Sequence, residues 1–263
     1  MTETVGGRQV PTYPDLTGKV AAVTGGTKGI GAATCRMLAA NGVRVAVNAR
    51  SADAVAVMAD ELRATGTEAA GVAGDCTSTA DMERFRAQAE EALGPVDILL
   101  PFAGGFSSFT PIEQLGEDEW REVIDVNLTA THLTVSAFLP GMIERNAGAI
   151  VTMSSNGGRM LDKKLTASYA AAKAGVIQYT RHIAIELAPH GIRANAIAPA
   201  TVSSERIQAI MDEEAIEWTA NLSPMGTMGT PEDCALATLF LVSDSAAWLT
   251  GVTLDVSGGR VML

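Results

Sequence analysis

Short apolar runs alternate with longer amphipathic stretches along most of the chain. Seven runs have the length and composition of strands: residues 19–24, 43–49, 68–74, 96–102, 149–154, 192–198 and 253–256. Helical spacing fills the intervals, at residues 29–41, 51–66, 79–93, 117–145, 168–190 and 231–244. This alternation predicts parallel strands joined by right-handed crossovers. We therefore expect one α/β domain over residues 18–263, a doubly wound parallel sheet of about seven strands with helices on both faces.

Two segments depart from the pattern. Residues 1–17 are rich in Gly, Pro and Thr and predict a loose N-terminal tail. Residues 201–230 form a long insertion before the last helix and strand. Insertions of this length are often lids or binding loops, so we expect a substrate lid here. The alternative is a surface excursion packed by Met211 and Trp218.

The charge and hydrophobic content of the chain exclude some classes of protein and of partner. The 263 residues include 19 Lys and Arg against 30 Asp and Glu, for a net charge of −11, and 47% are hydrophobic. The hydrophobic fraction excludes wholesale disorder, and the acidic balance argues against a nucleic-acid or anionic-membrane partner. The sequence shows no signal peptide and no apolar run near the ~18–20 residues of a membrane span, which favours a cytoplasmic protein.

Cysteine and histidine spacing gives no sign of a metal site. Cys35, Cys76 and Cys234 lie far apart, and no Cys/His pair has ligand spacing. We expect three reduced thiols. The histidines are expected at packing or surface positions: His132, His182 and His190.

A glycine-rich turn follows the first strand of this pattern, TGGTKGIG at 24–31, and a helix begins there. Gly25, Gly29 and Gly31 let the backbone turn sharply, and the helix N-terminus offers N–H groups to a pyrophosphate. The spacing is G-x-x-x-G-x-G rather than G-x-G-x-x-G, but the strand–turn–helix context predicts dinucleotide binding. The alternative is a purely structural turn.

The end of the second strand favours NADP(H) over NAD(H). An NAD site has a carboxylate about 20 residues past the glycines, to bind the ribose 2′-hydroxyl. Here Ala49 and Arg50 occupy that place, and Lys28 lies within the glycine turn. Two cations would attract a 2′-phosphate, although both could be ordinary solvated side chains.

Candidate catalytic chemistry centres on YAAAK at 169–173. Tyr169 and Lys173 share one helix face at i, i+4, and a nearby ammonium lowers the pKa of a phenol, which makes it a usable proton donor and acceptor. Ser154 and Ser155 end a strand upstream of Tyr169, and Asn127 lies inside a long helix, where an amide has little intrinsic preference. A helix-surface Tyr–Lys pair is the alternative.

Together these motifs resemble the short-chain dehydrogenase/reductase family in its compact form, over about residues 17–259. The resemblance includes Asp75 after the third strand, Ala103-Gly104 after the fourth and Asn127 in VNL. It continues through the Ser-Ser pair, YAAAK, Ile-Arg-Ala-Asn at 192–195, Pro199 and the ending TGVTLDVSGG. Such proteins have a Rossmann-type fold and bind a nicotinamide cofactor.

The resemblance implies roles for individual residues. Tyr169 would be the acid/base, Lys173 would hold the nicotinamide ribose, and Ser155 would polarise the substrate carbonyl. Asn127 would anchor a proton-relaying water. The implied cofactor-binding residues are Gly25, Thr27, Lys28, Gly29, Ile30, Arg50, Asp75, Cys76, Ala103, Gly104, Tyr169, Lys173, Pro199 and Val202. Asp75 and Cys76 would meet the adenine, and Val202 the carboxamide.

Two positions depart from the family pattern. Pro101-Phe102 replaces the usual Asn-Asn before Ala-Gly, which removes two amides and a backbone donor at a central strand end. Ala200 replaces the usual glycine after Pro199, which is costly only if that position needs a positive φ.

The implied activity is interconversion of a ketone and a secondary alcohol, most simply by a carbonyl reductase. A 3-oxoacyl-thioester (acyl carrier protein) reductase and a non-catalytic NADP(H)-sensing regulator are the alternatives. An apolar substrate pocket is expected from Phe106, Phe109, Met160, Leu161, Trp218, Met225 and Met228. By resemblance we expect a homotetramer that pairs through helices 117–145 and 168–190 and the last strand.

Overall fold

A computed structural model of the protein describes residues 4–105, 109–160 and 165–262. Its strands in chain order are β1 (Thr4–Val5), β2 (Arg8–Gln9), β3 (Val20–Thr24), β4 (Arg44–Ala49), β5 (Ala69–Ala73), β6 (Ile98–Pro101), β7 (Gly148–Met153), β8 (Ile192–Pro199) and β9 (Thr253–Val256). The last seven form a parallel sheet in the order β5-β4-β3-β6-β7-β8-β9. The predicted doubly wound Rossmann-type sheet is confirmed.

The helices in chain order are α1 (Gly29–Ala39), α2 (Ala52–Ala64), α3 (Thr79–Leu93), α4 (Glu117–Ile124), α5 (Ala130–Arg145), α6 (Ala167–Leu187), α7 (Glu205–Ile210), α8 (Glu213–Asn221) and α9 (Pro231–Val242). Side-chain caps start most of them. Ser51, Ser78 and Thr166, for example, each accept a backbone N–H from the first turn of α2, α3 and α6. Each cap satisfies a donor that the helix leaves free, which fixes where the helix begins.

Alternate residues of the strands build one core on each side of the sheet. On β3, Val20 and Ala22 pack with α3, α5 and α6, while Ala21 and Val23 pack with α1, α2 and α9. All four side chains are fully buried. Because a parallel strand covered on both faces needs apolar residues at every position, β3 is a continuous apolar run rather than an alternating one.

The strand order reverses beside β3, and this reversal determines where the candidate site lies. β3 pairs with β4 on one side and with β6 on the other. Connections from β3 and β6 therefore leave in opposite directions, which opens a crevice at their carboxyl ends. A Cβ on Gly25, after β3, would lie 2.9 Å from the backbone nitrogen of Ala103, after β6. The two loops pack together at the floor of this crevice.

The N-terminal segment differs from the predicted loose tail. β1 and β2 form a hairpin, Val10 and Leu16 are buried against the core, and the Arg8 guanidinium lies 2.8 Å from the Asp233 carboxylate. Apolar side chains at 10 and 16 supply the burial that holds the segment in place. The Gly- and Pro-rich composition of residues 1–17 gave no indication of these two buried side chains.

Two further elements were not anticipated. The predicted helix 117–145 is interrupted by a π-helical turn over Asp125–Thr129, between α4 and α5. The insertion 201–230 contains α7 and α8, and a parallel bridge between Val202 and Gly229 closes its base. In the described part of the chain, none of the helices combines the length and hydropathy needed to cross a bilayer.

Candidate active site

The end of β7 and the helix α6 are joined by two hydrogen bonds around Lys173. The Lys173 Nζ donates to the carbonyl of Met153 at 2.8 Å, and the Ser154 Oγ donates to the carbonyl of Lys173 at 2.8 Å. Among the described residues, Met153 supplies the only hydrogen-bond acceptor for the amine. The remaining N–H groups of Lys173 can therefore serve a ligand.

Lys173 is 2% exposed and lies beside an aromatic ring. Its Nζ is 5.6 Å from the centroid of the Tyr169 ring, one helical turn earlier on α6. Burial lowers the pKa of the Lys173 amine to about 7, because an ammonium loses its hydration there. The amine is thus poised to change protonation with small changes in its surroundings.

Asn127 lies in the π-helical turn and is fully buried. Its Nδ2 donates to the carbonyls of Gly105 and Val123, each at 2.8 Å, and its Oδ1 accepts from the Gly105 N–H at 2.9 Å. The amide therefore fixes the loop that leaves β6. A π-turn disturbs the regular helix ladder, and such turns are frequent at functional sites.

Gly104 occupies the space between these groups. A Cβ there would lie 2.6 Å from the Asn127 Oδ1 and 3.3 Å from the Lys173 Nζ, and its φ of +150° is one that side chains rarely adopt. Gly104 itself is exposed. The backbone at Gly104 is thus open to a ligand, and a side chain at this position would obstruct it.

The two serines after β7 have different surroundings. Ser154 is committed to the Lys173 carbonyl. Ser155 begins the next turn: its Oγ accepts from the Gly157 N–H at 3.1 Å and donates to the Asn156 Oδ1 at 3.3 Å. Ser155 can redirect its hydroxyl to a substrate without releasing the strand from α6.

The glycine turn leads directly into α1. Gly25 and Gly29 have φ of +68° and +51°, and a Cβ on Gly31 would lie 2.2 Å from the Gly25 carbonyl oxygen. Lys28 precedes the helix and gives it no side-chain cap. The N–H groups of the first turn are thus available to a diphosphate, beside half-buried Thr27 and Ile30.

The residues that follow β4 and β5 lie where the sequence predicts the adenosine end of a dinucleotide. Arg50 is exposed after β4, and Lys28 is exposed across the turn. The Asp75 Oδ1 accepts from the Thr77 N–H at 2.9 Å and from its hydroxyl at 2.7 Å. Burial and the Asp75 charge raise the pKa of the Cys76 thiol to about 11. Cys76 is therefore an unreactive thiol at this position.

Both departures from the family pattern are accommodated. The Ala103 N–H donates to the Thr24 Oγ1 at 3.2 Å, and Phe102 is buried in the core, so apolar packing and one hydroxyl hold the end of β6.

Ala200 is not among the residues with a positive φ, and its N–H donates to the Val256 carbonyl at 3.1 Å. Alanine is therefore unstrained after Pro199, which is buried on β8.

The insertion lies over the carboxyl edge of the sheet. A Cβ on Gly29 would lie 3.7 Å from the Ser204 Cβ, and the Ser223 Oγ donates to the Gly258 carbonyl at 2.7 Å. Of the predicted pocket residues, Phe109, Trp218 and Met225 are exposed, and Met160 and Met228 are half-buried. Phe106 and Leu161 lie outside the described residues.

Three contacts of the site were not predicted from the sequence. Met153 acts through a backbone carbonyl, which every residue has. Thr24 accepts the Ala103 N–H at the end of β6, where Pro101-Phe102 provides no side-chain amide. Ser204 carries a helix-capping signal, but its approach to Gly29 depends on tertiary packing.

The residues present fit a nicotinamide dinucleotide. The open helix N-terminus suits a diphosphate, Gly104 leaves a gap beside Asn127 and Lys173, and the Lys173 amine retains donors for ribose hydroxyls. The Tyr169 phenol on α6 and the Ser155 hydroxyl after β7 are groups suited to proton transfer and to carbonyl polarisation.

Residues 19–215 match the family model described as short chain dehydrogenase. The chain is 34% identical over 249 residues to a 3-oxoacyl-[acyl-carrier-protein] reductase FabG of Vibrio harveyi, covering 95% of this chain and all of that protein. It is 36% identical to 3beta-hydroxysteroid dehydrogenase 1 of Eggerthella lenta (95% and 96% covered) and 38% identical to a galactitol 2-dehydrogenase (L-tagatose-forming) of Cereibacter sphaeroides (93% and 95%).

Solved structures show the same architecture. A 3-oxoacyl-[acyl-carrier protein] reductase from Brucella melitensis superposes with a TM-score of 0.91 at 29% identity and full coverage of both chains. The structure described as gox2181 gives a TM-score of 0.90 at 33% identity, covering 94% of this chain and 98% of that one.

Proposed function

The chain belongs to the short-chain dehydrogenase/reductase family, and we propose that it is an NADP(H)-dependent oxidoreductase that interconverts a ketone and a secondary alcohol. In the cell we expect it to act mainly as a carbonyl reductase. The observation that carries the proposal is the placement of Lys173, a buried amine with hydrogen-bond donors to spare, beside the Tyr169 ring and the gap at Gly104.

A bound nicotinamide would supply hydride to the substrate carbon. Tyr169 donates the proton to the developing alkoxide, and Ser155 donates a hydrogen bond to the same oxygen, which polarises the carbonyl. Lys173 holds the nicotinamide ribose through its remaining N–H groups. Its positive charge, when protonated, favours the phenolate that Tyr169 becomes after proton transfer.

Asn127 holds the loop that leaves β6 in place beside the proposed site. Its amide clamps Gly105 to the π-helical turn, and its backbone carbonyl accepts from the Thr131 hydroxyl at 2.8 Å. The same carbonyl has a second lone pair that can hold a water, and such a water would return protons to Tyr169 past Lys173.

Preference for the phosphorylated cofactor is supported by Arg50 and Lys28. Both cations are exposed at the adenosine end, and no carboxylate takes the place of Arg50 at the end of β4. A guanidinium can bind a phosphate through two parallel hydrogen bonds. Gly25, Thr27, Gly29, Ile30, Asp75, Cys76, Ala103, Pro199 and Val202 complete the proposed cofactor site.

A second candidate function is reduction of a 3-oxoacyl thioester. The names of the Vibrio and Brucella proteins favour it, whereas the names of the Eggerthella and Cereibacter proteins point to a steroid and a sugar alcohol. Relatives at similar identity thus carry three substrate classes. The carbonyl chemistry is common to all three.

Cofactor oxidation with a panel of ketones tests the proposal. Purified protein is mixed with NADPH or NADH and with cyclic ketones, steroid ketones, ketoses and acetoacetyl thioesters, and cofactor absorbance is followed. We expect turnover of at least one ketone, faster with NADPH than with NADH. Binding of NADPH without turnover of any ketone would instead favour a non-catalytic NADP(H) sensor.

We also propose that the protein forms a homo-oligomer, namely a tetramer. Ile185 on α6 is 77% exposed and Leu254 on β9 is 37% exposed, so the predicted pairing surfaces carry unburied apolar side chains. Light scattering of the purified protein measures the state. A monomeric mass at micromolar concentration would contradict the proposal.

A further inference from the structure

Asn156 directly follows Ser155 and begins the short 3₁₀ turn after β7. It is 5% exposed, and its backbone carbonyl accepts from the Arg159 N–H at 2.9 Å. A Cβ on Gly158, in the same turn, would lie 2.6 Å from the Lys173 carbonyl carbon, so the turn lies directly against α6. The backbone of Asn156 is therefore fixed beside the candidate site.

The side-chain amide of Asn156 has two hydrogen-bond partners among the residues that the structure describes. Its Oδ1 accepts from the Ser155 hydroxyl at 3.3 Å, and its Nδ2 donates to the Met160 sulfur at 3.9 Å. A thioether is a weak acceptor and both contacts are long, so neither holds the amide strongly in one orientation. Rotation about the last side-chain bond would exchange the oxygen and the nitrogen within almost the same volume.

The Ser155 hydroxyl has one proton to donate and two lone pairs to accept. One lone pair accepts from the Gly157 N–H at 3.1 Å, and the proton is donated to the Asn156 Oδ1. In this arrangement the proton is not available to a substrate carbonyl. If the hydroxyl turned to a substrate while the amide kept its orientation, the buried Oδ1 would face a serine lone pair without a donor, which is costly.

From these contacts we propose that Asn156 is a positioning residue for Ser155, and that its amide rotates when a carbonyl substrate binds. The Nδ2 then donates to the second lone pair of the Ser155 Oγ, which leaves the hydroxyl proton for the substrate oxygen alone. Two donors on the serine oxygen also polarise its O–H group and strengthen its hydrogen bond to the substrate. The inference rests on the proposed function and specifies how Ser155 becomes a donor in it.

Two substitutions separate the acceptor and donor roles of the amide. Asn156→Asp keeps the shape of the side chain, but its carboxylate accepts the Ser155 proton and cannot donate. With a ketone that the wild type reduces and saturating NADPH, we expect kcat at pH 8 to fall roughly ten- to hundredfold. Asn156→Leu supplies neither group, and we expect a smaller loss of roughly two- to fivefold. The control Gln88→Glu makes the same change of amide to carboxylate at an exposed position of α3 and should leave kcat unchanged.

The carbonyl stretch of a bound ketone measures whether Asn156 acts through Ser155. The ketone carries an isotope-labelled carbonyl and is bound with NADP⁺, which cannot reduce it, and infrared difference spectra are recorded. Hydrogen bonds to the carbonyl lower its frequency, so the difference between the wild type and Ser155→Ala is the contribution of Ser155. We expect Asn156→Asp at pH 8 to lose most of this contribution and Asn156→Leu to lose part of it. Neither substitution should change the spectrum of the Ser155→Ala protein.

The failure of this inference is distinguishable from the failure of the proposed function. NADPH binding at wild-type affinity shows that a variant is folded, and the uncharged Asn156→Leu provides the test should Asn156→Asp fail to fold. A full Ser155 contribution in either variant, equal spectra of the wild type and Ser155→Ala, or an effect of Asn156→Asp that persists without the Ser155 hydroxyl would overturn the inference alone. If the wild type reduces no ketone of the panel, the proposed function fails and this inference fails with it.

Discussion

The Lys173 amine lies 5.6 Å from the centre of the Tyr169 ring, and a hydrogen bond of 2.8 Å to the Met153 carbonyl holds it there. Helix α6 supplies both side chains, and strand β7 supplies the carbonyl. The pair is therefore built across two elements, and its geometry depends on the Ser154 hydrogen bond that joins them. This separates it from a Tyr–Lys pair on a helix surface.

Burial of Lys173 makes stability depend on pH in a defined direction. The native amine has a pKa of about 7, against about 10.4 in an unfolded chain. Between these values the unfolded chain binds a proton that the native protein does not, so the free energy of unfolding rises with pH, by at most about 1.4 kcal/mol per pH unit. Below about pH 7 both states are protonated and the burial cost is complete.

Urea unfolding of the cofactor-free protein at pH 7, 8 and 9 measures this effect against Lys173→Met. We expect the stability of the wild type relative to the variant to increase over this range. The comparison removes the contributions of Cys35, Cys76 and Cys234, since both proteins have them. Parallel pH curves would show that the amine titrates normally.

Gly104 is expected to be irreplaceable. The variant Gly104→Ala puts a Cβ 2.6 Å from the Asn127 Oδ1 at a φ of +150°, so the loop or the amide must move. Strain of this kind costs on the order of 1–3 kcal/mol. We expect a lower Tm and a large loss of turnover. Gly116→Ala is the control, because a Cβ there meets nothing within 4 Å, and it should behave like the wild type in both assays.

Arg50 is expected to select the cofactor. Loss of a charge-assisted phosphate contact costs about 1.5–3 kcal/mol, so Arg50→Ala should raise the KM for NADPH by roughly ten- to hundredfold and leave the KM for NADH unchanged. Arg63→Ala, an exposed arginine in the last turn of α2, is the matched control. Equal effects of Arg50→Ala on both cofactors would remove the support for a 2′-phosphate site.

Arg159 is expected to position the turn that follows Ser155. Its Nη1 donates to the Thr253 carbonyl at 3.0 Å and lies 3.3 Å from the Asp255 carboxylate, with both side chains largely buried. Arg159→Met leaves Asp255 unpaired, at a cost of roughly 3 kcal/mol. We expect reduced stability and a reduced kcat with little change in NADPH binding.

The double variant Arg159→Met/Asp255→Leu checks the cause. Removing both charges should recover much of the stability measured by urea unfolding. A double variant no more stable than Arg159→Met would indicate that the packing of Arg159, rather than its charge, holds the turn.

Most of the fold was predictable because it follows from local pattern. Residues 79–93 and 253–256 were predicted with the bounds that α3 and β9 have, since helical spacing marks the first and alternation of polar and apolar residues marks the second. The hairpin and the buried Val10 and Leu16 were missed, because two isolated apolar residues give no periodicity. The π-helical turn was also missed, and so was the long-range hydrogen bond between its Asn127 and Gly105.

The candidate site was predictable only in part. The motifs indicated Tyr169, Lys173, Ser155 and Asn127, and the structure places all four at the carboxyl edge of the sheet. The acceptor of the Lys173 amine and the anchor of Ala103 depend on contacts between distant segments, which one sequence does not show.

The central claim is that Tyr169 delivers the proton while hydride is transferred from NADPH. Single-turnover oxidation of NADPH by a ketone that the wild type reduces, compared with Tyr169→Phe at equal cofactor occupancy, tests it most directly. We expect the variant to bind NADPH as the wild type does and to lose a factor of about 10²–10⁴ in rate. A variant with nearly the wild-type rate at full occupancy would contradict the claim.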